Sequence, residues 1–153
     1  MSDLRQEFWD TILEMAHKDK KIIVLVGDLG FSYCEKFEKE LPSQFINCGC
    51  TEQSMVLIAG GLSICGFRPF VYSGSVFLLM RPYEMIRNIC YNKLDVKFCA
   101  TGASPFLGFS HNTVSGEEEN LLEKLPNIKT FFPKNGRRMK DILQTKGATY
   151  IRL

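Results

Sequence analysis

Apolar residues alternate along the chain between two kinds of run. From Asp3 to Asp19, Leu4, Phe8, Ile12, Met15 and Ala16 fall on one face at helical spacing. Ser2 and Asp3 can cap that helix, and Lys18, Lys20 and Lys21 place cations at its C-terminal end. Ile22-Ile23-Val24-Leu25-Val26 is then continuously apolar, as a strand buried on both faces reads in a parallel sheet. It stops at the turn Gly27-Asp28-Leu29-Gly30. The pattern recurs: a short strand at 45–48, a helix at 52–65, a strand at 69–73 and a helix at 77–91 with Pro82 in its first turn. A strand at 96–100, a Gly/Ser-rich loop at 102–116, a helix at 117–124, a strand at 128–132, a helix at 136–145 and a strand at 149–152 follow. Strands alternating with helices every 20–30 residues or so indicate βαβ units. The expectation is an α/β fold, doubly wound, with a mostly parallel sheet of about six strands and helices on both faces, over residues 1–153.

Composition narrows the function classes. A chain of 153 residues is one domain or a piece of a larger assembly, and can bury roughly 70% of its unfolded surface. A net charge of +2 is too small to argue for nucleic acid or an acidic membrane surface. Lys134, Arg137, Arg138 and Lys140 read as the solvated face of a helix. No apolar run reaches the ~18 residues that span a membrane. The start Met-Ser-Asp-Leu-Arg is not a signal peptide, so the six cysteines read as free, mostly buried thiols in a reducing cytosol. Cys48-Gly49-Cys50 lacks the spacing of a zinc knuckle.

In doubly wound sheets ligands sit beyond the carboxyl ends of the strands. Asp28, the Gly49–Glu52 turn, Ser73–Phe77 and the loop from Gly102 to His111 all follow strands, so they gather on one edge. Glu52 opens a helix too apolar for a surface helix, with a small-residue Ala59-Gly60-Gly61 step. A first-turn glutamate commonly only stabilises the helix dipole. Here the helix start lies near the core, where burial disfavours a charged carboxylate and the helix terminus favours it. Phe77 and Tyr83 can stack on a flat heterocycle and Arg81 can reach an anion; Phe77, Met80, Tyr83 and Ile86 also fit an ordinary core stripe. His111 is either solvent-facing or functional on a ligand-edge loop. His17 reads as a surface residue. No GxGxxG, P-loop, nucleophile elbow or histidine cluster is present.

With these residues in place the chain resembles the pyrimidine-binding (Pyr) domain of the transketolase family of thiamine-diphosphate enzymes. The matching segments are Val26–Gly30, Phe45–Gly49, Glu52–Met55, Ala59–Leu62, Pro69–Tyr72, Phe77–Arg87, Ser110-His111 and Leu125–Asn127, in family order. Phe-Ile-Asn-x-Gly-x-x-Glu-Gln is the most specific block, and Glu52-Gln53-Ser54-Met55 is closer to transketolase C-terminal halves than to deoxyxylulose-phosphate synthases. The resemblance implies that Glu52 contacts N1′ of the cofactor's aminopyrimidine and so promotes loss of the thiazolium C2 proton. It implies that Phe77, with Tyr83, stacks on the pyrimidine, that Asp28 lines the pocket, that His111 faces the donor sugar, and that Arg81 holds a substrate phosphate.

The departures from the family pattern shape the expectation further. The Gly-Asp-Gly…Asn segment that holds Mg²⁺ and the diphosphate belongs to a PP domain that this chain lacks. The run Leu107-Gly108-Phe109-Ser110-His111 replaces the Glu-Asp-Gly-Pro-Thr-His of pentose-phosphate transketolases, and an earlier active-site histidine is replaced around Gly102. The expected protein is a stand-alone Pyr subunit of a split transketolase-like enzyme. It would be active with a separate PP-domain chain carrying Mg²⁺, as a heterotetramer acting on sugars or sugar phosphates. The alternatives are a subunit of another thiamine-diphosphate enzyme acting on α-keto acids, a non-catalytic interaction or regulatory subunit, and a flavodoxin-like domain unrelated to thiamine. A missing partner implies a large exposed apolar face.

Overall fold

The strand-like runs pair side by side, all parallel, into one six-stranded sheet of order β2-β1-β3-β4-β6-β5. The structure is a computed structural model and describes residues 3–102 and 116–153. The strands are β1 (Ile22–Val26), β2 (Phe45–Asn47), β3 (Arg68–Gly74), β4 (Lys97–Thr101), β5 (Lys129–Phe131) and β6 (Thr149–Arg152). Parallel strands need crossover segments, and helices supply them. These are α1 (Leu4–Lys18), α2 (Glu35–Glu40), α3 (Glu52–Ile64), α4 (Ser75–Met80), α5 (Tyr83–Tyr91), α6 (Glu117–Glu123) and α7 (Met139–Leu143).

The continuous apolar strands feed two cores because successive side chains point to opposite faces. Ile22, Val24 and Val26 join Phe8, Trp9 and Met139 on the face covered by α1, α2 and α7. Ile23 and Leu25 join Met55, Ile89 and Leu122 on the face covered by α3, α5 and α6. The sheet is therefore doubly wound, as expected. From β1 the chain steps outward to β2, then returns to lay β3 on the other side of β1. The crevice between the carboxyl ends of β1 and β3 is the point where strand order reverses.

Three features differ from the sequence expectation. The helix expected at 77–91 is two helices, because Pro82 has no N–H and its ring clashes with the preceding turn. Pro82 sits at the N-cap of α5, where its carbonyl accepts from Ile86 N–H at 2.9 Å. Helix α2 has no counterpart in the expected pattern: its sequence is nearly all charged and only Phe37 is buried. Helix α3 is apolar all round but not enclosed by its own chain. Met55, Val56, Ala59 and Gly60 face the sheet, while Leu57 and Ile64 are 57% and 74% exposed. Of the cysteines, Cys34, Cys90 and Cys99 are buried, whereas Cys50 and Cys65 are exposed; all six are free.

Buried polar groups tie the elements together. Lys97 at the start of β4 is only 2% exposed; its ammonium donates to Asp95 and to the Gly147 carbonyl, and burial pushes its pKa down. Glu118 on α6 accepts from the Tyr150 hydroxyl and from Arg152 Nη1 at 2.9 Å, pinning α6 to β6. Desolvation raises the Glu118 carboxyl and pushes Tyr150 well above its ordinary value. Gln44, ahead of β2, directs its amide nitrogen at the carbonyls of Ala16, Asp19 and Ile22 at 3.3, 3.1 and 2.9 Å. One side chain thus closes the end of α1 onto the start of β1. Gln44→Leu strips these buried carbonyls of a donor and should cost about 1–3 kcal/mol of stability. Urea unfolding measures this directly, and an unshifted midpoint would show that the three contacts carry no net stability.

Candidate functional site

Glu52 is delivered to the crevice by the chain on either side of it. The run into β2 ends at Asn47, and Gly49 takes a left-handed conformation (φ +65°) that suits glycine. The Asn47 side-chain oxygen accepts from Gly49 N–H at 2.9 Å and from Asp28 N–H at 3.2 Å. That side chain therefore fixes the turn before α3 and the end of β1 together. Thr51 caps the Cys48 carbonyl through its hydroxyl at 2.7 Å, and α3 begins at Glu52.

The Glu52 side chain is 3% exposed. A carboxylate so far out of water needs compensation. Its Oε2 accepts from Arg81 Nη1 at 2.8 Å, and Ser73 Oγ lies 3.5 Å from its Oε1. It also sits at the first turn of α3, where unpaired backbone N–H groups and the helix dipole favour negative charge. Ser73 comes from the end of β3, beside Gly27 at the end of β1: a Cβ on Gly27 would meet Ser73 Oγ at 3.2 Å. The carboxylate therefore stands at the strand-order reversal.

Arg81 belongs to neither α4 nor α5, but to the joint that Pro82 creates. Its guanidinium lies over the Phe77 ring, 4.2 Å from the centroid, a cation–π contact. Its carbonyl accepts from Gln53 Nε2 at 3.1 Å. Cys50, Thr51, Glu52, Gln53, Ser54 and Arg81 line an open cleft of about 530 Å³. The neighbouring Cys48 thiol is pushed up by burial, which keeps it protonated.

The structure thus brings Glu52, Phe77 and Arg81 together. Asp28 stands at the β1–β2 corner, in a left-handed conformation (φ +53°) with its carboxylate 3.4 Å from Asn47 Nδ2. Tyr83 is half-buried, and its hydroxyl donates to the Leu121 carbonyl at 2.9 Å, bracing α5 against α6. His111 lies outside the described residues. Sequence reasoning put Ser73 on the ligand edge and Asn47 and Gln53 in the matching motif block, but gave none of the three a role in the site. Only Asn47 carried a signal, an asparagine two residues before a turn glycine, the Asx-turn pattern.

The family described as "Transketolase, pyrimidine binding domain" matches residues 1–150. The chain belongs to that family. Thiamine diphosphate is the cofactor of the transketolase family. The chain is similar to a putative transketolase C-terminal section of Methanocaldococcus jannaschii, 33% identical over 159 residues. That match covers 98% of this chain and 50% of the relative. It is 30% identical over 145 residues to one subunit of an apulose-4-phosphate transketolase of Phocaeicola vulgatus, covering 92% of this chain and 46% of the relative. Among solved structures, a split-gene transketolase described as an inactive beta4 tetramer aligns with TM-score 0.85 and 36% identity. That alignment covers 98% of this chain and 50% of the solved one. The chain thus spans about half the length of these relatives.

The described part of this Pyr domain contains no helix long and apolar enough to cross a membrane. Its β1–β2 corner depends on one amide. Asn47→Ala should cost about 1 kcal/mol and speed amide exchange at Asp28 and Gly49 specifically. Exchange unchanged at both positions would show that the corner holds without Asn47.

Proposed function

We propose that this Pyr domain is one half of a split, thiamine-diphosphate-dependent transketolase-like enzyme, transferring a two-carbon ketol unit between sugars or sugar phosphates. The observation that carries the reading is the buried Glu52 carboxylate at the start of α3, at the strand-order reversal and in an open cleft beside an aromatic face. The residues fit an aminopyrimidine: a flat, basic ring needs an in-plane hydrogen-bond partner and an apolar face, and Glu52 and Phe77 offer them.

When bound, the cofactor supplies the carbon nucleophile that breaks and remakes the bond beside a ketose carbonyl. Glu52 holds a proton at the ring nitrogen, and its burial keeps competing water away. The first turn of α3 and Ser73 fix the direction of its carboxylate. Phe77 presents a ring face, while Asp28 and Tyr83 border the pocket from the β1 corner and from α5. Arg81, on the wall of the same cleft, meets a substrate phosphate in this reading. His111 faces the donor sugar in this reading.

Mg²⁺ and the diphosphate are held by a separate PP-domain chain, and the pair assembles as a heterotetramer. Among the described residues, no group of three or more His, Cys, Asp or Glu side chains is placed to hold a metal ion. The partner reading is supported by the outer face of α3. From Gln53 to Phe67 no residue is charged, yet Leu57, Ile58, Ile64 and Phe67 are exposed.

Reconstitution with the partner chain, thiamine diphosphate and Mg²⁺ tests the chemistry against sugar phosphates and against pyruvate, which separates ketol transfer from an α-keto acid reaction. Glu52→Ala should lower kcat about 10²–10⁴-fold; a variant that keeps most of the activity removes Glu52 from the mechanism. Leu57→Lys should abolish association with the partner while leaving the melting temperature of the isolated chain within about 1–2 °C, because a charge at an exposed site costs little until it is buried. Intact assembly on sedimentation would place the interface elsewhere.

A further inference from the structure

Two groups that would read a flat basic ring, the Glu52 carboxylate and the Phe77 face, are already engaged by one side chain. Arg81 Nη1 donates to Glu52 Oε2 at 2.8 Å while the same guanidinium lies over Phe77 at 4.2 Å. A guanidinium is planar, carries a delocalised positive charge, points N–H donors outward in its own plane and stacks on aromatic rings. A protonated aminopyrimidine shares all four properties. We infer that Arg81 is an internal surrogate for the ligand's ring: its guanidinium fills the seat between Glu52 and Phe77 in the free chain, and a ring enters by displacing it. The inference rests on the ring-binding role proposed above for Glu52 and Phe77.

The local construction suits such an exchange. The Arg81 side chain is 44% exposed, so water stands ready to take the displaced cation. Its backbone lies at the joint between α4 and α5, and Gln53 Nε2 holds its carbonyl at 3.1 Å. The side chain can therefore swing out while the main chain stays pinned and no helical ladder breaks. Glu52 cannot swing out with it, being buried at the first turn of α3. Until a ring arrives, the surrogate keeps a buried carboxylate from standing unpaired. The consequence is a tax on affinity, since a ligand binds only the fraction of molecules in which the seat is vacant.

The test uses the free 153-residue chain and the isolated ring, 4-amino-5-hydroxymethyl-2-methylpyrimidine, by isothermal titration calorimetry. Arg81→Ala and Arg81→Met should bind it about tenfold more tightly than the unmodified chain, the factor expected if the seat is filled nine-tenths of the time. The Met variant keeps the aliphatic stem and so guards against a folding failure in the Ala variant. Adding Glu52→Gln to either should remove the gain. Affinity that is unchanged or weaker in the Arg81 variants, or no saturable binding to them, overturns the inference. The assay contains no partner chain, diphosphate or turnover. A tighter-binding Arg81 variant alongside a reconstituted pair that catalyses nothing would sink the transferase reading alone.

Discussion

A carboxylate withdrawn from water must be compensated on every side, and Glu52 sets that requirement for this structure. The helix terminus, the Arg81 guanidinium and the Ser73 hydroxyl are the compensating groups, and they arrive from α3, from the α4–α5 joint and from the end of β3. Each source depends on something further out. The strand order brings β3 beside β1, Asn47 holds the turn that aims α3, and Pro82 breaks the helix that would otherwise carry Arg81 along its axis. The site is the meeting point of two crossovers and a strand end rather than a feature of any one of them.

The doubly wound sheet was legible in the sequence because a parallel strand buried on both faces shows as an unbroken apolar run, as in Ile22–Val26. Alternation of such runs with helical spacing left few other architectures. Helix α2 escaped notice because six mostly charged residues with one buried phenylalanine make no periodic pattern. The break at Pro82 was misplaced for a different reason. A proline near the start of a helix can sit in its first turn or end the helix before it, and only the packing decides.

Glu52 was visible as a candidate because an acidic residue opened an unusually apolar helix. Its partners were not. Ser73 reaches the site from a strand whose spacing to Glu52 is set only by the fold, and Gln53, though next to Glu52 in sequence, finds the Arg81 carbonyl only once the α4–α5 joint is in place. Tyr83 and Arg81 show the converse. Both were named from their chemistry, but their present partners, the Leu121 carbonyl and the Glu52 carboxylate, depend on how α5 and α6 settle against the sheet.

Helix α3 carries Glu52 in its first turn, packs Met55, Val56 and Ala59 on the sheet, lets Ile89 approach closely at Gly60, and leaves Leu57, Ile58 and Ile64 facing outward. In the proposed heteromer, one rod of thirteen residues then answers to chemistry, folding and recognition at once. Such a segment has almost no neutral positions. With such a partner, change on its outer stripe would have to be matched in the other chain, while change on its inner stripe would move the carboxylate. Drift in the family should therefore slow along this helix and run faster in segments such as α2, where only Phe37 is buried.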